Sequence, residues 1–324
     1  MTEHRRIIHW SLMASAAACV SACGGGGFST NSTPLRPPPL TPPPAPSVPP
    51  LPPGPIGLTT TSGFVTEAAT VETPVTTPRV ISTGDDLVSI SYSAADQSYT
   101  VSLPDYAPGK LTDSKGNGTY DGTGWTHLYE TFSRVSNNPQ TDANHISVNL
   151  VWPASSQFTY TNFGSWNGRE STGTDTIVRV GVFAYGIPTA PGDVPLVGTA
   201  SYAGDVSGTP DPNYDYSNLL GHVGMNFDFA SGTLGGQLDL VVVVDYYNDF
   251  RIPTMPFHET VFAKGSTTFS GNFDTAGLSS NTHFSGRFTG PNAAELMANF
   301  GGTILIPQNN QSVDIAGVWI AAKH

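Results

Sequence analysis

Two short segments combine acidic and aromatic side chains in a pattern typical of ligand-contact loops. One is Asp-Pro-Asn-Tyr-Asp-Tyr-Ser at 211–217, and the other is Asp-Tyr-Tyr-Asn-Asp-Phe-Arg at 245–251. Exposed tyrosines beside asparagine and aspartate provide rigid, amphipathic contact area. The candidate ligand-binding residues are therefore Asp211, Tyr214, Tyr216, Tyr246 and Tyr247. The alternative is that these tyrosines pack over the end of the fold and serve its stability.

Catalytic motifs do not stand out anywhere in the chain. There is no Gly-x-Ser-x-Gly turn for a nucleophilic serine, no glycine-rich phosphate loop and no His-Glu-x-x-His zinc motif. A Ser/His/Asp set could be assembled from many positions, so such a set carries no information. We expect a protein that is not an enzyme and that needs no cofactor.

Three features resemble metal sites, and each has a simpler reading. The segment Asp113 to Gly124 has the outline of a calcium loop, but Lys115 stands where an oxygen ligand belongs. Residues 83–87 form a single copy of a pattern that binds calcium in repeated arrays, so both segments are read as turns. His222, His258 and His283 could converge as a metal or haem site or be unrelated residues near strand ends. We expect no metal.

The N-terminus has the order of features found in an exported lipoprotein. Arg5 and Arg6 precede an apolar stretch that ends at Ala22, and this stretch is too short to span a membrane. Val20-Ser21-Ala22-Cys23 resembles the bacterial lipobox, in which the cysteine thiol is acylated with chains such as palmitate. We therefore expect a signal peptide at 1–22 and lipidation of Cys23, in place of an ordinary signal peptide with a coincidental cysteine.

A tether follows Cys23. Four glycines and then a proline-dense stretch from Pro34 to Pro55 cannot bury a core, and prolines favour polyproline II. Residues 23–57 are therefore predicted to hold the body away from a membrane surface. Removal of 1–22 also removes Cys19, so no disulfide is expected. The formal net charge of −12 argues against nucleic acid as a partner.

The body after residue 57 reads as strand after strand. Apolar residues alternate with polar ones or glycine at 88–92, 99–103, 223–229, 269–273 and 284–288, and the first two stretches indicate a hairpin over 87–103. The unbroken valines 241–244 suggest a strand covered on both faces. A helix is predicted only over 290–298, because Pro291 suits a first helical position.

These elements predict an all-β fold in two parts. We expect a small handle-like β domain at 58–150 and, at 151–324, an antiparallel β-barrel of roughly eight strands with one short helix. A closed barrel leaves no exposed sheet edge, which suits an exported β protein.

Several stretches resemble the transferrin-binding-protein-B-like family of surface lipoproteins. The most specific is Phe284-Ser-Gly-Arg-Phe-Thr-Gly-Pro-Asn-Ala-Ala-Glu295, followed by Gly301-Gly302-Thr303. Phe158 to Trp166 is similar to the family's first barrel strand, 183–191 and 197–204 to the next two, and Ile90 to Pro104 to a hairpin of the handle domain. The chain has one handle-and-barrel unit and lacks the usual Phe-Gly-Gly or Phe-Gly-Ala step near its end.

The resemblance implies a surface-exposed outer-membrane lipoprotein, lipid-anchored and delivered by a surface-delivery translocon. It further implies solute or host-protein binding, with haem, metal or iron acquisition as the purpose. Fold transfers across such resemblances better than ligand identity does, so the ligand is expected to be an unknown protein or small molecule. The alternative is a periplasm-facing structural or envelope-organising lipoprotein that captures no ligand.

Overall fold

The computed structural model of the 324-residue chain describes twelve stretches, and they consist almost entirely of β-strands. The described residues are 62–74, 80–96, 98–103, 108–112, 127–133, 145–151, 157–171, 176–210, 218–245, 248–274, 281–306 and 310–324. Among them, no helix has the length and apolar character that crossing a membrane requires.

Ten strands precede the barrel. They are β1 (Ser62–Gly63), β2 (Val65–Pro74), β3 (Val80–Gly84), β4 (Ser89–Ser93), β5 (Ser98–Ser102), β6 (Gly109–Thr112), β7 (His127–Ser133), β8 (His145–Val151), β9 (Thr161–Ser171) and β10 (Thr176–Gly186). A small sheet has the order β1-β4-β5-β6, and a six-stranded sheet has the order β3-β2-β10-β9-β8-β7. The hairpin predicted over 87–103 is confirmed, since β4 pairs with β5 from Ser89↔Ser102 to Ser93↔Ser98.

The remaining strands build an antiparallel barrel. They are β11 (Thr199–Pro210), β12 (Asn218–Asp228), β13 (Thr233–Asp245), β14 (Asn248–Arg251), β15 (Met255–Val261), β16 (Thr268–Phe273), β17 (His283–Thr289), β18 (Glu295–Ile306) and β19 (Gln311–Lys323). The order is β12-β11-β19-β18-β17-β16-β15-β13, with β14 added beside β13, and pairing of β12 with β13 closes the ring. This confirms the predicted eight-stranded closed barrel beside a smaller handle-like part.

Alternating apolar side chains fill the barrel interior. Phe227 packs against Tyr202, Phe262, Phe269 and Phe288 in one ring cluster. Around Trp319 a second cluster contains Phe257, Phe273, Phe284 and Phe300. In a barrel of eight strands the lumen is just wide enough for side chains to fill, and here aromatic rings occupy it.

Both faces of the six-stranded sheet are covered. On β10, Phe183 and Tyr185 join a core that includes residues of the small sheet. Their neighbours Val182 and Ala184 join a different core, with barrel residues such as Val318 and Ile320. Alternate residues of a strand point to opposite faces, so this sheet is a middle layer between the small sheet and the outer face of the barrel.

Three details differ from the sequence-based expectations. The strands at 161–171 and 176–186, expected in the barrel, pair with each other and with β2 in the six-stranded sheet, and the barrel strands begin at Thr199. The domain limits 58–150 and 151–324 stay a prediction. The valine-rich strand β13 buries Leu238, Leu240 and Val242 inward, while its outward side chains are only partly covered.

The predicted helix at 290–298 is a single 3₁₀ turn, Pro291–Ala293, followed directly by strand β18. Gly290, Asn292 and Ala293 have φ values of 70°, 55° and 53°, which interrupt helical geometry. At Gly290 a side chain would also collide with the ring of Tyr160, 2.5 Å from the position of a Cβ. Close approach and left-handed backbone thus make this a sharp corner between strands.

Candidate functional site

The residues proposed from the sequence for lipidation and ligand contact lie outside the described part of the chain. They are Cys23, Asp211, Tyr214, Tyr216, Tyr246 and Tyr247. The strands that flank the two tyrosine-bearing segments are described, and the registers Gly208↔Leu219 and Asn218↔Val243 fix their ends. Pro210, Asn218 and Asp245 therefore lie at the same end of the barrel.

The three histidines have separate surroundings. His222 is exposed and its Nδ1 lies 3.2 Å from an Asp205 carboxylate oxygen. The Nε2 of His258 lies 3.6 Å from Glu259, and the Nε2 of His283 lies 2.8 Å from the hydroxyl of Thr83. Within the described ranges, no three His, Cys, Asp or Glu side chains are grouped as a metal site would require.

A cluster of polar and charged side chains lies where the six-stranded sheet meets the barrel. The Nε of Arg287 on β17 donates to Glu67 Oε1 on β2 at 2.6 Å, and its Nη2 donates to Asp85 Oδ2 at 2.5 Å. The other Glu67 oxygen accepts a short hydrogen bond from the side-chain amide of Asn299 on β18. One buried carboxylate thus joins the middle sheet to two barrel strands.

Strand alternation places each member of this cluster. On β2, Ala69 and Val71 face the barrel, and Glu67 shares their face because it is an even number of residues away. On β17, Phe284 and Phe288 point into the lumen, so Arg287 points outward. Asn299 likewise points out of β18, between the inward Ala298 and Phe300.

Burial has the largest effect on the pKa of Glu67, a residue that is only 3% exposed. Removal from water raises the pKa of the Glu67 carboxyl to about 7, against the opposing effects of the Arg287 guanidinium and the Asn299 amide. Nearby Asp85 adds a smaller effect that also raises the pKa. Near neutral pH the Glu67 carboxyl is therefore partly protonated and partly ionised.

An open groove of about 360 Å³ adjoins the cluster on the outer face of the barrel. Strands β16 and β17 contribute its floor, and Glu67, Gly84 and Asp85 contribute one wall. Four hydroxyl-bearing residues and two small apolar ones complete the lining, namely Ser266, Thr268, Ser270, Ser285, Val261 and Ala263. The groove therefore offers hydrogen-bond donors, acceptors, charge and apolar surface within a small space.

A second buried carboxylate, Glu295, lies elsewhere on the barrel wall. It accepts hydrogen bonds from the backbone N–H groups of Thr159 (2.6 Å) and Tyr160 (3.0 Å) and from the Thr161 hydroxyl (2.6 Å). Burial raises the pKa of Glu295, and these hydrogen bonds oppose the rise. All its partners come from the segment that leads into β9, so Glu295 holds that segment against the first residue of β18.

Sequence reasoning missed Glu67 and Arg287. The pattern at 83–87 predicts only a turn around Asp85, and in the structure the Asp85 carboxylate accepts from Arg287. A usable signal was present, because Glu67 interrupts the apolar face of β2 and Arg287 is the sole charged residue of β17 besides His283. Charged residues are seldom fully buried without a partner, so each predicts a partner on another strand.

The geometry defines a class: an antiparallel β-barrel with a filled lumen, backed by two smaller sheets and carrying a polar groove on its outer face. No family model matches the chain, and no curated protein matches it.

Solved structures similar to the chain include transferrin-binding protein B structures. A double mutant of the Haemophilus parasuis protein shares 14% identity over 81% of this chain and 76% of that one, with a TM-score of 0.34. Intact Ap-TbpB, with N and C lobes, shares 13% over 80% and 77%, with a TM-score of 0.35. For the isotype 1 protein of serogroup B Neisseria meningitidis the values are 15%, 80% and 44%, with a TM-score of 0.38.

These structures bear the same name as the family that the sequence resembles. At such TM-scores and identities, the similarity carries no argument about the ligand or activity of this chain.

Proposed function

We propose that this protein is a lipid-anchored binding protein that is displayed on the outer membrane and captures a ligand on the outside of its barrel. The lipobox-like end at Cys23 and the proline-rich tether at 23–57 support export and display. A body held away from a membrane by the stiff segment 23–57 suits capture of a ligand from the surroundings.

The observation that carries the proposal is the contrast between the lumen and the outer groove. Aromatic side chains such as Phe227 and Trp319 occupy the lumen, so the barrel acts as a scaffold and not as a container. The groove beside Arg287 holds buried and half-buried charges next to open space. Burying a charge is costly, and binding sites are where such charges are often retained.

The finer parts of the proposal come from the sequence resemblance. A solute, a host protein, haem or another metal carrier would be bound, and a membrane transporter would receive the cargo. A surface-delivery translocon would carry the lipoprotein outward. The tyrosine-bearing segments at 211–217 and 245–251 would add contacts at one end of the barrel. Catalysis plays no part in this proposal.

Protease accessibility on intact cells tests display. The native lipoprotein is exposed to a protease that cannot cross the outer membrane, while a periplasmic protein reports leakage. Rapid loss of the lipoprotein with the periplasmic marker intact is the expected result. Protection until the outer membrane is opened would overturn the proposal and leave the periplasm-facing structural role.

Capture is tested separately. The purified full-length lipoprotein is incubated with culture medium and host serum, and bound material is identified by mass spectrometry. A Cys23→Ser variant, which we expect to lose its lipid, should retain capture but leave the membrane fraction. Membrane retention of that variant would contradict the assignment of Cys23 as the lipidated residue.

A further inference from the structure

We infer that the groove beside Arg287 is a binding site for a small, neutral, polyhydroxylated ligand of the saccharide class. This inference deepens the proposed function and rests on it only for the biological setting, since the site is argued from the groove alone. Its volume of about 360 Å³ lies in the range typical of small-molecule sites.

Charge balance disfavours strongly ionic ligands. Arg287 is already hydrogen-bonded to the two carboxylates of Glu67 and Asp85. An anion entering the groove would meet both carboxylates, and a cation would have to compete with Arg287 for them. Because burial raises the pKa of Glu67 to about 7, the three groups together carry only a small net charge at neutral pH.

Hydrogen-bonding capacity favours hydroxyl groups on the ligand. A guanidinium has five N–H groups, and the described residues account for hydrogen bonds from Nε and Nη2 of Arg287. Its remaining N–H groups have no partner in the described part of the chain. The Ser270 hydroxyl can both donate and accept. Ser285 Oγ already donates to Asn299 Oδ1 at 3.3 Å, and Thr268 Oγ1 lies 3.2 Å from Ser266 Oγ, and each of these hydroxyls keeps acceptor capacity for a ligand. A ligand hydroxyl also donates and accepts, so a row of them matches this mixed lining.

The groove also offers an apolar surface. Val261 is 64% exposed, and Ala263 lies beside it along the lining. The carbon-bonded hydrogens of a sugar ring can cover such a surface while its hydroxyls reach the polar wall.

A titration of the purified full-length protein tests the site. Glucose, galactose and N-acetylglucosamine serve as neutral probes, and glucosamine and glucuronate as charged counterparts. The protein is kept in a detergent without a sugar headgroup, and binding is followed by ligand-observed NMR and calorimetry. At least one neutral sugar should bind in a saturable manner, and its charged counterparts should bind at least fivefold more weakly.

Variants connect that binding to the groove. Val261→Trp fills the open space and should weaken binding at least tenfold. Leu220→Trp is the matched control, because Leu220 is a 48% exposed aliphatic residue on the barrel that does not line the groove. Asp85→Asn should weaken binding about fivefold while removing no buried group, since the side chain of Asp85 is 59% exposed.

Three results would overturn the inference. They are no saturation with any neutral sugar, stronger binding of glucosamine or glucuronate, or binding that Val261→Trp and Leu220→Trp affect equally. Failure here is distinguishable from failure of the proposed function, because surface display and capture from serum are measured without reference to sugars. A periplasmic location with sugar binding intact would overturn surface display and leave the sugar site supported.

Discussion

Two buried carboxylates join the barrel to the rest of the chain, and their partners differ in kind. Glu295 accepts hydrogen bonds from two backbone N–H groups and one hydroxyl, none of which carries a net charge. Glu67 accepts from the Arg287 guanidinium and the Asn299 amide beside an open groove. The first arrangement is a fixed clamp, and the second is a charge pair whose balance can change with pH or with a ligand.

The comparison shows that burial alone does not mark a functional residue. Both residues are at most 5% exposed, and burial raises the pKa of both carboxyls. Of the two, Glu67 has the ionic partner Arg287 and lines a groove that a ligand can enter. Substitutions at these two residues and at their partners separate the two roles.

Replacing Glu295 with glutamine should cost the most stability. The glutamine amide keeps one oxygen that can accept hydrogen bonds. Its NH₂ group would point its own N–H donors at groups that now donate to Glu295. Leaving up to two buried donors without an acceptor should lower the free energy of unfolding by about 4 kcal/mol. Urea denaturation of the full chain at pH 8 measures this loss.

The matched control is Glu259→Gln, since the side chain of Glu259 is 68% exposed. We expect that variant to stay within about 0.5 kcal/mol of the parent protein. If Glu295→Gln were equally mild, the description of Glu295 as a clamp would be wrong.

Glu67 should give the protein a measurable pH dependence of stability. Its folded pKa of about 7 lies above the reference value of 4.5. Between these values the folded state binds more protons than the unfolded state, so stability falls as pH rises. The contribution is fully present below pH 4.5 and is lost as pH rises through 7. The shift corresponds to about 3 kcal/mol.

The measurement is urea denaturation of the parent protein and Glu67→Gln from pH 5 to pH 8. Glutamine keeps the shape of the side chain and does not titrate, so the difference in unfolding free energy between the two proteins isolates Glu67. Parallel pH profiles for the two proteins would refute the assignment of this dependence to Glu67.

Most of the barrel could be predicted from the sequence, because alternation reports directly which residues face a filled lumen. Val223, Met225, Phe227 and Phe229 alternate with polar residues or glycine, and all four are buried. The same holds for Phe284 and Phe288 on β17. A one-sided core leaves this period-two signal in the chain.

Sheet membership of β9 and β10 could not be predicted in the same way. Both strands come directly before the barrel strands in the chain, but β10 pairs with β2, which lies about a hundred residues earlier. Local pattern is silent about such distant pairing. The corner at Gly290 was missed because Pro291 suits a helix start as well as a turn, and the ring of Tyr160 that forces the corner comes from another strand region.

The groove cluster was beyond sequence reasoning for a similar reason. Glu67 and Arg287 are separated by 220 positions, and only the packing of the middle sheet on the barrel brings them together. The candidate tyrosines were found because they are adjacent in sequence. Their role stays a prediction, since residues 211–217 and 246–247 lie outside the described part of the chain.

Arg287→Gln should have an intermediate effect. It removes the ionic partner of Glu67, and the carboxyl then responds by binding a proton near neutral pH. We expect a loss of about 2 kcal/mol at pH 8, smaller at pH 6 where Glu67 is more often protonated already. The double variant with Glu67→Gln should be more stable than the sum of the single losses predicts, by about 1 kcal/mol. Strict additivity at pH 8 would show that the pair is not coupled.

Asp85→Asn should have the smallest effect on stability. The Asp85 side chain is 59% exposed, and its contact with Arg287 is open to solvent on one side. Solvent-exposed ion pairs contribute about 0 to 1 kcal/mol, and asparagine keeps an oxygen that can accept from the guanidinium. We expect a loss below about 0.5 kcal/mol in urea denaturation at pH 7. A loss as large as that of Arg287→Gln would place Asp85 with the structural residues and remove it as a probe of the groove. A small loss combined with weaker sugar binding would assign Asp85 to the ligand, because the fold would then be intact while recognition was impaired.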